Sequence, residues 1–311
     1  MKTVDVLIPV YKPGQKFKKL LVRLSKQSYP VNRIIVINTE EKYFDSCFFG
    51  TSFLEQFNNL EVHHISRYEF DHGKTRDMAV KYSKADIFVC MTDDAVPADD
   101  RLIENLVSPI IAGEARVTYG RQCVDKKAPD IERFTRRFNY PAKSRLKSIA
   151  DKDQLGIKLY FCSNVCAAYD RATYDELGGF VRHTIFNEDM IFASKVIMQG
   201  YYIKYCADAK VFHYHVLGNI EQLRRNFDLG VSQAMYCEIF DGMPSTGEGI
   251  KLVKDTTRFL VKRHKFLQIP RLYINSAFKY AGYLLGKRYE HIPRFIIKKL
   301  TMNQTFWDKE N

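Results

Sequence analysis

Through its first 120 residues the chain alternates short apolar runs with segments of helical period, and few folds satisfy that alternation. Val4 to Val10 has the composition of a buried strand. Phe17, Leu20, Leu21 and Leu24 then mark one helix face behind Pro13-Gly14, and Arg33 to Ile37 predicts a second strand. Leu60 to Ile65 predicts a third strand, Thr75 to Ser83 a helix, Ile87 to Met91 a fourth strand, Asp99 to Ile110 a helix and Arg116 to Gly120 a fifth strand. Strands separated by helices are joined by crossovers, so they lie parallel and need cover on both faces. The class is therefore α/β, with a mostly parallel central sheet and helices on both sides. In open sheets of this kind ligands bind beyond the carboxyl ends of the strands, which directs attention to the residues after Val10, Ile37, Ile65 and Met91.

The middle third is less regular. Residues 125 to 158 carry many charges without a clear period and suggest a mobile or loop-rich insertion. Leu159 to Ala168 predicts a strand, Asn187 to Gln199 a helix, and Ala209 to His215 a strand whose alternation would put His213 and His215 on one face. The turn-rich segment Asp241 to Gly249 is the best boundary, dividing a main domain over residues 1–240 from a C-terminal region over 250–311.

Charge separates the same two regions. From Lys251 onward there are 14 Lys and Arg against 4 Asp and Glu, a net +10 within a chain of net +12. These cations are interleaved with Phe259, Phe266, Leu267, Tyr273, Tyr280, Leu284 and Phe295, the pattern of basic amphipathic helices at an anionic membrane surface. Solvated helices packed on the main domain are the plainer alternative, and nothing resembles a nucleic-acid-binding module. No apolar run approaches the roughly 18 residues needed to span a bilayer, and the first apolar stretch is too short for a signal peptide, so a cytoplasmic protein is expected. Seven Cys without a CxxC pair indicate reduced thiols, with neither a disulfide framework nor a zinc site.

Strand four ends in Thr92-Asp93-Asp94-Ala95-Val96-Pro97. Adjacent carboxylates at a strand end repel each other unless hydrogen bonds or a hard cation such as Mg2+ or Mn2+ offset the charge; a plain turn and helix cap would use the same residues. No GxGxxG and no GxxxxGK[ST] is present to cradle phosphates. A diphosphate ligand would therefore rely on Asp94 with a cation, helped by Lys74 and Arg76, unless these two are ordinary helix-surface cations. His213 and His215 suit metal ligation or phosphate contact, or simply surface packing. In Phe186-Asn187-Glu188-Asp189-Met190 the acids either favour the positive end of a helix or include a general base.

Taken in order, these strings resemble family-two glycosyltransferases of the GT-A fold, and more narrowly bacterial rhamnosyltransferases. The resemblance is carried nearly end to end by Ile8-Pro9-Val10-Tyr11, FDHGKTRD from Phe70, TDDAVP from Thr92, Leu177-Gly178-Gly179-Phe180, NEDM from Asn187, VFHYH from Val211, LRRNFDLG from Leu223 and KYAGYLLGKRYEHIP from Lys279. It implies that Pro9 and Tyr11 border the nucleotide base, that Asp93 meets the ribose, and that Asp94 ligates a metal bridging the diphosphate. Arg76 would sit near the nucleotide end of the pocket. His213, and His215 beside it, would be late metal or diphosphate ligands, and Asp189 the catalytic base with Glu188 next to it. The chain departs from the family where Ile37-Asn38-Thr39-Glu40 stands in place of the usual Asp-Asp-Gly-Ser, so that the carboxylate contacting the base is either missing or replaced by Glu40, and where Asp93 stands in place of a Gln common in rhamnosyl relatives.

The resemblance thus implies an inverting, Mg2+- or Mn2+-dependent transfer of L-rhamnose from dTDP-rhamnose. The acceptor would be a lipid-linked cell-surface polysaccharide precursor at the inner face of the plasma membrane, where the protein would bind peripherally. A UDP-hexose or UDP-N-acetylhexosamine donor is the first alternative, and a non-enzymatic basic protein that binds polyanions or anionic lipid is the second.

Overall fold

A computed structural model describes residues 1–125, 128–243 and 246–309. The elements begin β1 (Val4–Tyr11), α1 (Gln15–Leu24), β2 (Arg33–Thr39), α2 (Glu41–Phe48), β3 (Leu60–Ile65), α3 (His72–Tyr82), β4 (Ile87–Met91) and β5 (Val96–Pro97). They continue with α4 (Leu102–Ile111), β6 (Val117–Cys123), α5 (Asp130–Asn139), β7 (Arg145–Lys147), α6 (Lys152–Leu155), β8 (Cys166–Asp170), α7 (Arg171–Glu176), α8 (Glu188–Met198) and β9 (Ile203–Phe212). The chain closes with α9 (Asn219–Met235), α10 (Cys237–Phe240), α11 (Thr246–Lys262), α12 (Gln268–Lys287), α13 (Arg294–Leu300) and α14 (Gln304–Asp308).

Two compact units emerge, the first made of residues 1–123, 140–183 and 188–213 and the second of 124–139, 184–187 and 214–311. The first unit holds a single sheet of strand order β3-β2-β1-β4-β8-β6-β9-β5, with β7 added alongside β9. β3, β2, β1 and β4 are parallel, as the helix-strand alternation requires, whereas β8 is antiparallel to both of its neighbours. β1, β2 and β4 are buried along nearly their whole length, whereas β3, at the edge of the sheet, is only partly buried. Leu7, Ile8, Ile35, Val36 and Val89 have no exposed surface, and Phe17, Leu20, Leu21 and Leu24 of α1 close over the sheet. Each such side chain contributes about 1.5–3 kcal/mol by leaving water. Because β1, β2 and β4 run in parallel, Tyr11, Glu40 and Asp93-Asp94 all follow the same edge of the sheet.

Three expectations change. The segment 125–158 contains the ten-residue helix α5 and strand β7 instead of irregular loop; α5 packs Phe134 against Phe259 of α11 with ring centroids 4.9 Å apart. Its period is faint because only a narrow stripe is apolar among Arg133, Arg136 and Arg137. The predicted strand 159–168 is confined to Cys166–Asp170, since Ser163 and Asn164 form a turn closed by the Cys166 N–H donating to Ser163 O at 3.0 Å. Finally, β9 ends at Phe212, so His213 and His215 lie in the loop beyond it and not on a strand face. Of the residues at the irregular boundaries, 126–127 and 244–245 lie outside those described.

The second unit is helical. Ile185, Phe227, Val231, Ile297, Phe306 and Trp307 form its core. α9 and α12 approach until their backbones nearly touch: a Cβ on Gly282 would lie 2.1 Å from Leu223 O, and one on Gly286 2.1 Å from Phe227 O. Gly282 and Gly286 are four residues apart, hence on one helix face. In an open helix Gly→Ala would gain about 1 kcal/mol. Here Gly282→Ala is expected to cost about 1–3 kcal/mol through overpacking, measured as a lower urea midpoint with unchanged m-value.

Candidate active site

The site is built on the carboxyl-end loops of the first unit. α3 opens with Asp71 as its cap, whose Oδ1 accepts from the Gly73 and Lys74 N–H groups at 2.9 Å each. Gly73 is required there because a Cβ would fall 1.8 Å from Val181 O. That close approach carries the first turn of α3 to the start of α8 and brings Arg76 onto Glu188, with Nη1 to Oε1 at 3.1 Å and both side chains buried. Lys74 points outward and is exposed.

Glu188 and Asp189 begin α8, where the free N–H groups and the helix dipole favour carboxylates. Asn164 binds both: its N–H donates to Asp189 Oδ2 at 2.9 Å and its side-chain amide to Glu188 Oε1 at 3.0 Å. Tyr169 in turn holds Asn164 by donating to Oδ1 at 2.7 Å. The second Asp189 oxygen accepts from the Met190 N–H at 2.8 Å.

The two acids titrate in opposite directions. Burial works against ionisation of Glu188, yet Arg76, His72 and the Asn164 amide outweigh it and hold the carboxyl below its ordinary range. Burial, reinforced by the negative charge of Glu188, pushes Asp189 up to about 7. A half-buried carboxyl with a pKa at working pH has the property required of a general base, while its permanently ionised neighbour does not.

Asp93 and Asp94 form the turn between β4 and β5, both half-buried. Asp94 Oδ1 lies 3.4 Å from Nε2 of His213, and Oδ2 lies 3.5 Å from Nζ of Lys16. His213 is oriented by Gln122, whose amide nitrogen donates to the Tyr140 hydroxyl at 2.6 Å and to Ser163 Oγ at 3.0 Å. Gln122 therefore presents its oxygen to His213 Nδ1, 3.0 Å away. That bond places a proton on Nδ1 and turns Nε2 toward the Asp94 carboxylate, so that the neutral ring offers its lone pair there. Two electron-rich atoms so placed are at ease when a cation lies between them, and one nitrogen with one carboxylate oxygen suits Mn2+ or Mg2+ with water completing the shell. The orienting amide is the usual support for a ligating histidine. His215 is exposed and belongs to the second unit.

Of the donor-side residues, Pro9 is half-buried near the end of β1 and Tyr11 is 41% exposed. The Tyr11 ring stands edge-on to Tyr43 at 5.6 Å, with Lys12 Nζ within 5.2 Å of both centroids, which makes an aromatic, cationic rim. Glu40 adopts φ +65°, accepts from the Arg67 N–H at 2.6 Å and pairs with Lys42 at 3.8 Å. Sequence reasoning missed Asn164 and Gln122, the two amides that set the geometry. A polar pair, Ser163-Asn164, interrupting an otherwise apolar stretch was the one visible sign of the first.

The glycosyl transferase family 2 profile matches residues 5–178, more than half of the chain. The chain belongs to glycosyl transferase family 2. Along its length this glycosyltransferase is 36% identical over 313 residues to the O-antigen chain rhamnosyltransferase RfbN of Salmonella typhimurium, covering 98% of this chain and 96% of that one. It is 33% identical to the O-antigen chain rhamnosyltransferase WbaN of Salmonella anatum, covering 99% and 96%. Among solved structures it is similar to a mannosyltransferase of Pyrobaculum calidifontis in complex with GDP-Man and Mn2+, at 14% identity and a TM-score of 0.63 over 93% of this chain and 88% of that one. Residues 1–349 of S. aureus TarS in complex with UDP-GlcNAc match at 15% identity and a TM-score of 0.54, over 93% and 91%. These likenesses show the GT-A type of fold for the glycosyltransferase, and its membership of the family removes the reading of a non-enzymatic polyanion-binding protein. Among the described residues no helix is long and apolar enough to cross a membrane.

Proposed function

We propose that the protein is an inverting, metal-dependent rhamnosyltransferase that moves L-rhamnose from dTDP-rhamnose to a hydroxyl of a lipid-linked precursor of a cell-surface polysaccharide. The observation that carries the transfer mechanism is the divergence of the two α8 carboxyls, with Asp189 raised to about 7 beside an ionised Glu188 braced by Arg76. Asp189 takes the proton of the acceptor hydroxyl as its oxygen attacks the anomeric carbon opposite the diphosphate. A β-linked donor then gives an α-linked product through an oxocarbenium-like transition state, by the logic of inverting carboxylate pairs. The rhamnosyl assignment rests on the two curated relatives, each named as a rhamnosyltransferase.

Asp94 and His213 would hold the cation, with His215 two residues on as a third ligand; its charge would neutralise the leaving diphosphate. Tyr11 and Pro9 are assigned to the base with Glu40 beside them, Asp93 to the ribose and Lys74 to the donor-side rim, whereas the buried Arg76 braces Glu188. Calorimetry with dTDP-rhamnose, UDP-glucose and UDP-N-acetylglucosamine, each with Mg2+, Mn2+ or EDTA, tests the reading. Metal-dependent binding selective for dTDP-rhamnose is expected, and selective binding of a UDP-sugar would replace the donor.

Membrane attachment at the inner face of the plasma membrane is supported by the +10 net charge from Lys251 onward and by apolar side chains exposed among those cations, including Leu267 at 96%, Phe295 at 66% and Phe266 at 54%. Each Lys or Arg near an anionic surface contributes about 1 kcal/mol, and the apolar groups enter the interface beside them. Sedimentation with vesicles containing phosphatidylglycerol is expected to capture the protein at low salt, and Leu267→Glu with Phe266→Glu to release it. Equal capture by neutral phosphatidylcholine vesicles would refute the electrostatic attachment.

A further inference from the structure

The second unit contains a cavity of about 330 Å3 that the transfer chemistry does not use. It opens among the first turn of α5, residues 216–217, α9 and α12, and its volume lies at the lower end of the range of about 300–1,000 Å3 typical of small-molecule sites. Four charged residues line it, Asp130 and Glu132 against Arg271 and Lys279, so the formal charges cancel. Three amides, Gln222, Gln268 and Asn275, add both donors and acceptors. These groups are partly pre-oriented: Gln268 donates to Asp130 Oδ2 at 3.5 Å, Arg133 pairs with Asp130 at 3.9 Å, and Asn275 donates to Asn219 Oδ1 at 3.2 Å.

That lining selects a ligand class. A phosphate or other anion would gain from Arg271 and Lys279 but meet Asp130 and Glu132, and a cation would meet the reverse. A hydrocarbon would strip water from seven polar side chains and return no hydrogen bond to any of them. No aromatic ring lines the cavity, so a nucleobase would find nothing to stack on. A neutral ring bearing several hydroxyls satisfies carboxylate, ammonium, guanidinium and amide together, because each hydroxyl both donates and accepts. We propose that this cavity is a saccharide subsite that takes one neutral pyranose. Its affinity for a neutral sugar does not rest on the glycosyl-transfer reading above. Burial draws the Lys279 ammonium to a lower pKa against the pull of Glu132.

Saturation-transfer NMR on the full chain, without donor, tests the subsite with methyl α-L-rhamnopyranoside, methyl β-D-galactopyranoside, methyl α-D-mannopyranoside and methyl β-D-glucuronide. Saturable binding of at least one neutral glycoside is expected, weakened tenfold or more by Asn275→Leu and by Gln222→Leu at an unchanged melting temperature. Gln222→Leu decides the matter should Asn275→Leu lower the melting temperature. Absence of saturable binding by every neutral glycoside, binding indifferent to both substitutions, or tighter binding of the charged glucuronide would overturn the proposal. Donor calorimetry on the same samples keeps the two readings apart: loss of dTDP-rhamnose binding with glycoside binding intact rejects the donor and retains the saccharide cavity.

Discussion

Asp189→Ala is expected to lower kcat by about 10²–10⁴-fold, the usual worth of a positioned general base, while the dissociation constant for the donor stays within about twofold. The side chain that binds the acceptor proton is lost, but Asp94 and His213 are untouched. Asp189→Asn is the closer match in shape, yet both carboxylate oxygens accept backbone N–H groups, from Asn164 and from Met190, so the amide must turn its NH2 toward one of these donors. Its melting temperature is therefore measured alongside its rate. Retention of most activity by either variant, with donor binding intact, would remove Asp189 from the base role. In the wild type, kcat/KM should follow ionisation of this group. It is expected to rise about tenfold per pH unit below about 7 and to level off above it, and a profile flat from pH 5 to 8 would contradict the assignment. The same shift has a stability counterpart with the opposite sign. The folded chain binds the Asp189 proton more tightly than the unfolded chain does, so this group supports folding at low pH and that support is lost as pH rises from about 4 through about 7. Asp228, buried in the second unit and likewise pushed up to about 7 by desolvation, acts in the same direction.

Asp94→Ala is expected to weaken Mn2+-supported donor binding by about 10²–10³-fold, in keeping with the several kcal/mol that a bound cation supplies to a phosphate ligand. EDTA should then have little further effect on the variant, although it strongly weakens binding by the wild type. Gln122→Leu offers a finer test of the same site, since it leaves both ligands in place but removes the acceptor that holds the proton on His213 Nδ1. A loss of about 10–100-fold in metal affinity is expected from such an orienting contact. Metal titration followed by calorimetry measures both effects, and an Asp94→Ala variant with undiminished Mn2+ dependence would place the cation elsewhere.

Much of the first unit was legible because its information is local. The runs at Val4, Arg33 and Ile87 became β1, β2 and β4 with small changes at their ends, since a strand buried on both faces must be apolar at nearly every position, and the run at Leu60 became the partly exposed edge strand β3. The ends of those strands carry the candidate residues, which short sequence strings are enough to mark. The histidines are a counterexample. The strand expected over Ala209 to His215 would put both on one face, but β9 stops at Phe212, and what orients His213 is Gln122, a residue on β6 far away in the chain. Asn164 is similar, because the turn that holds it is recognisable only beside Tyr169, Glu188 and Asp189.

The sequence by itself determined the α/β class, the edge of the sheet where chemistry would gather, and the concentration of positive charge after residue 250. Each follows from periodicity or composition, which depend on residue type and short spacing alone. Only the tertiary structure decided which of two adjacent acids is drawn up in pKa and which is held down, and which ring nitrogen faces Asp94. It alone also showed that residues 124–139 and 184–187 join the C-terminal helices in one unit. Those properties depend on burial and on charges brought within about 3 Å of each other from distant parts of the chain, and Coulomb energy and desolvation respond to distance in space, not in sequence.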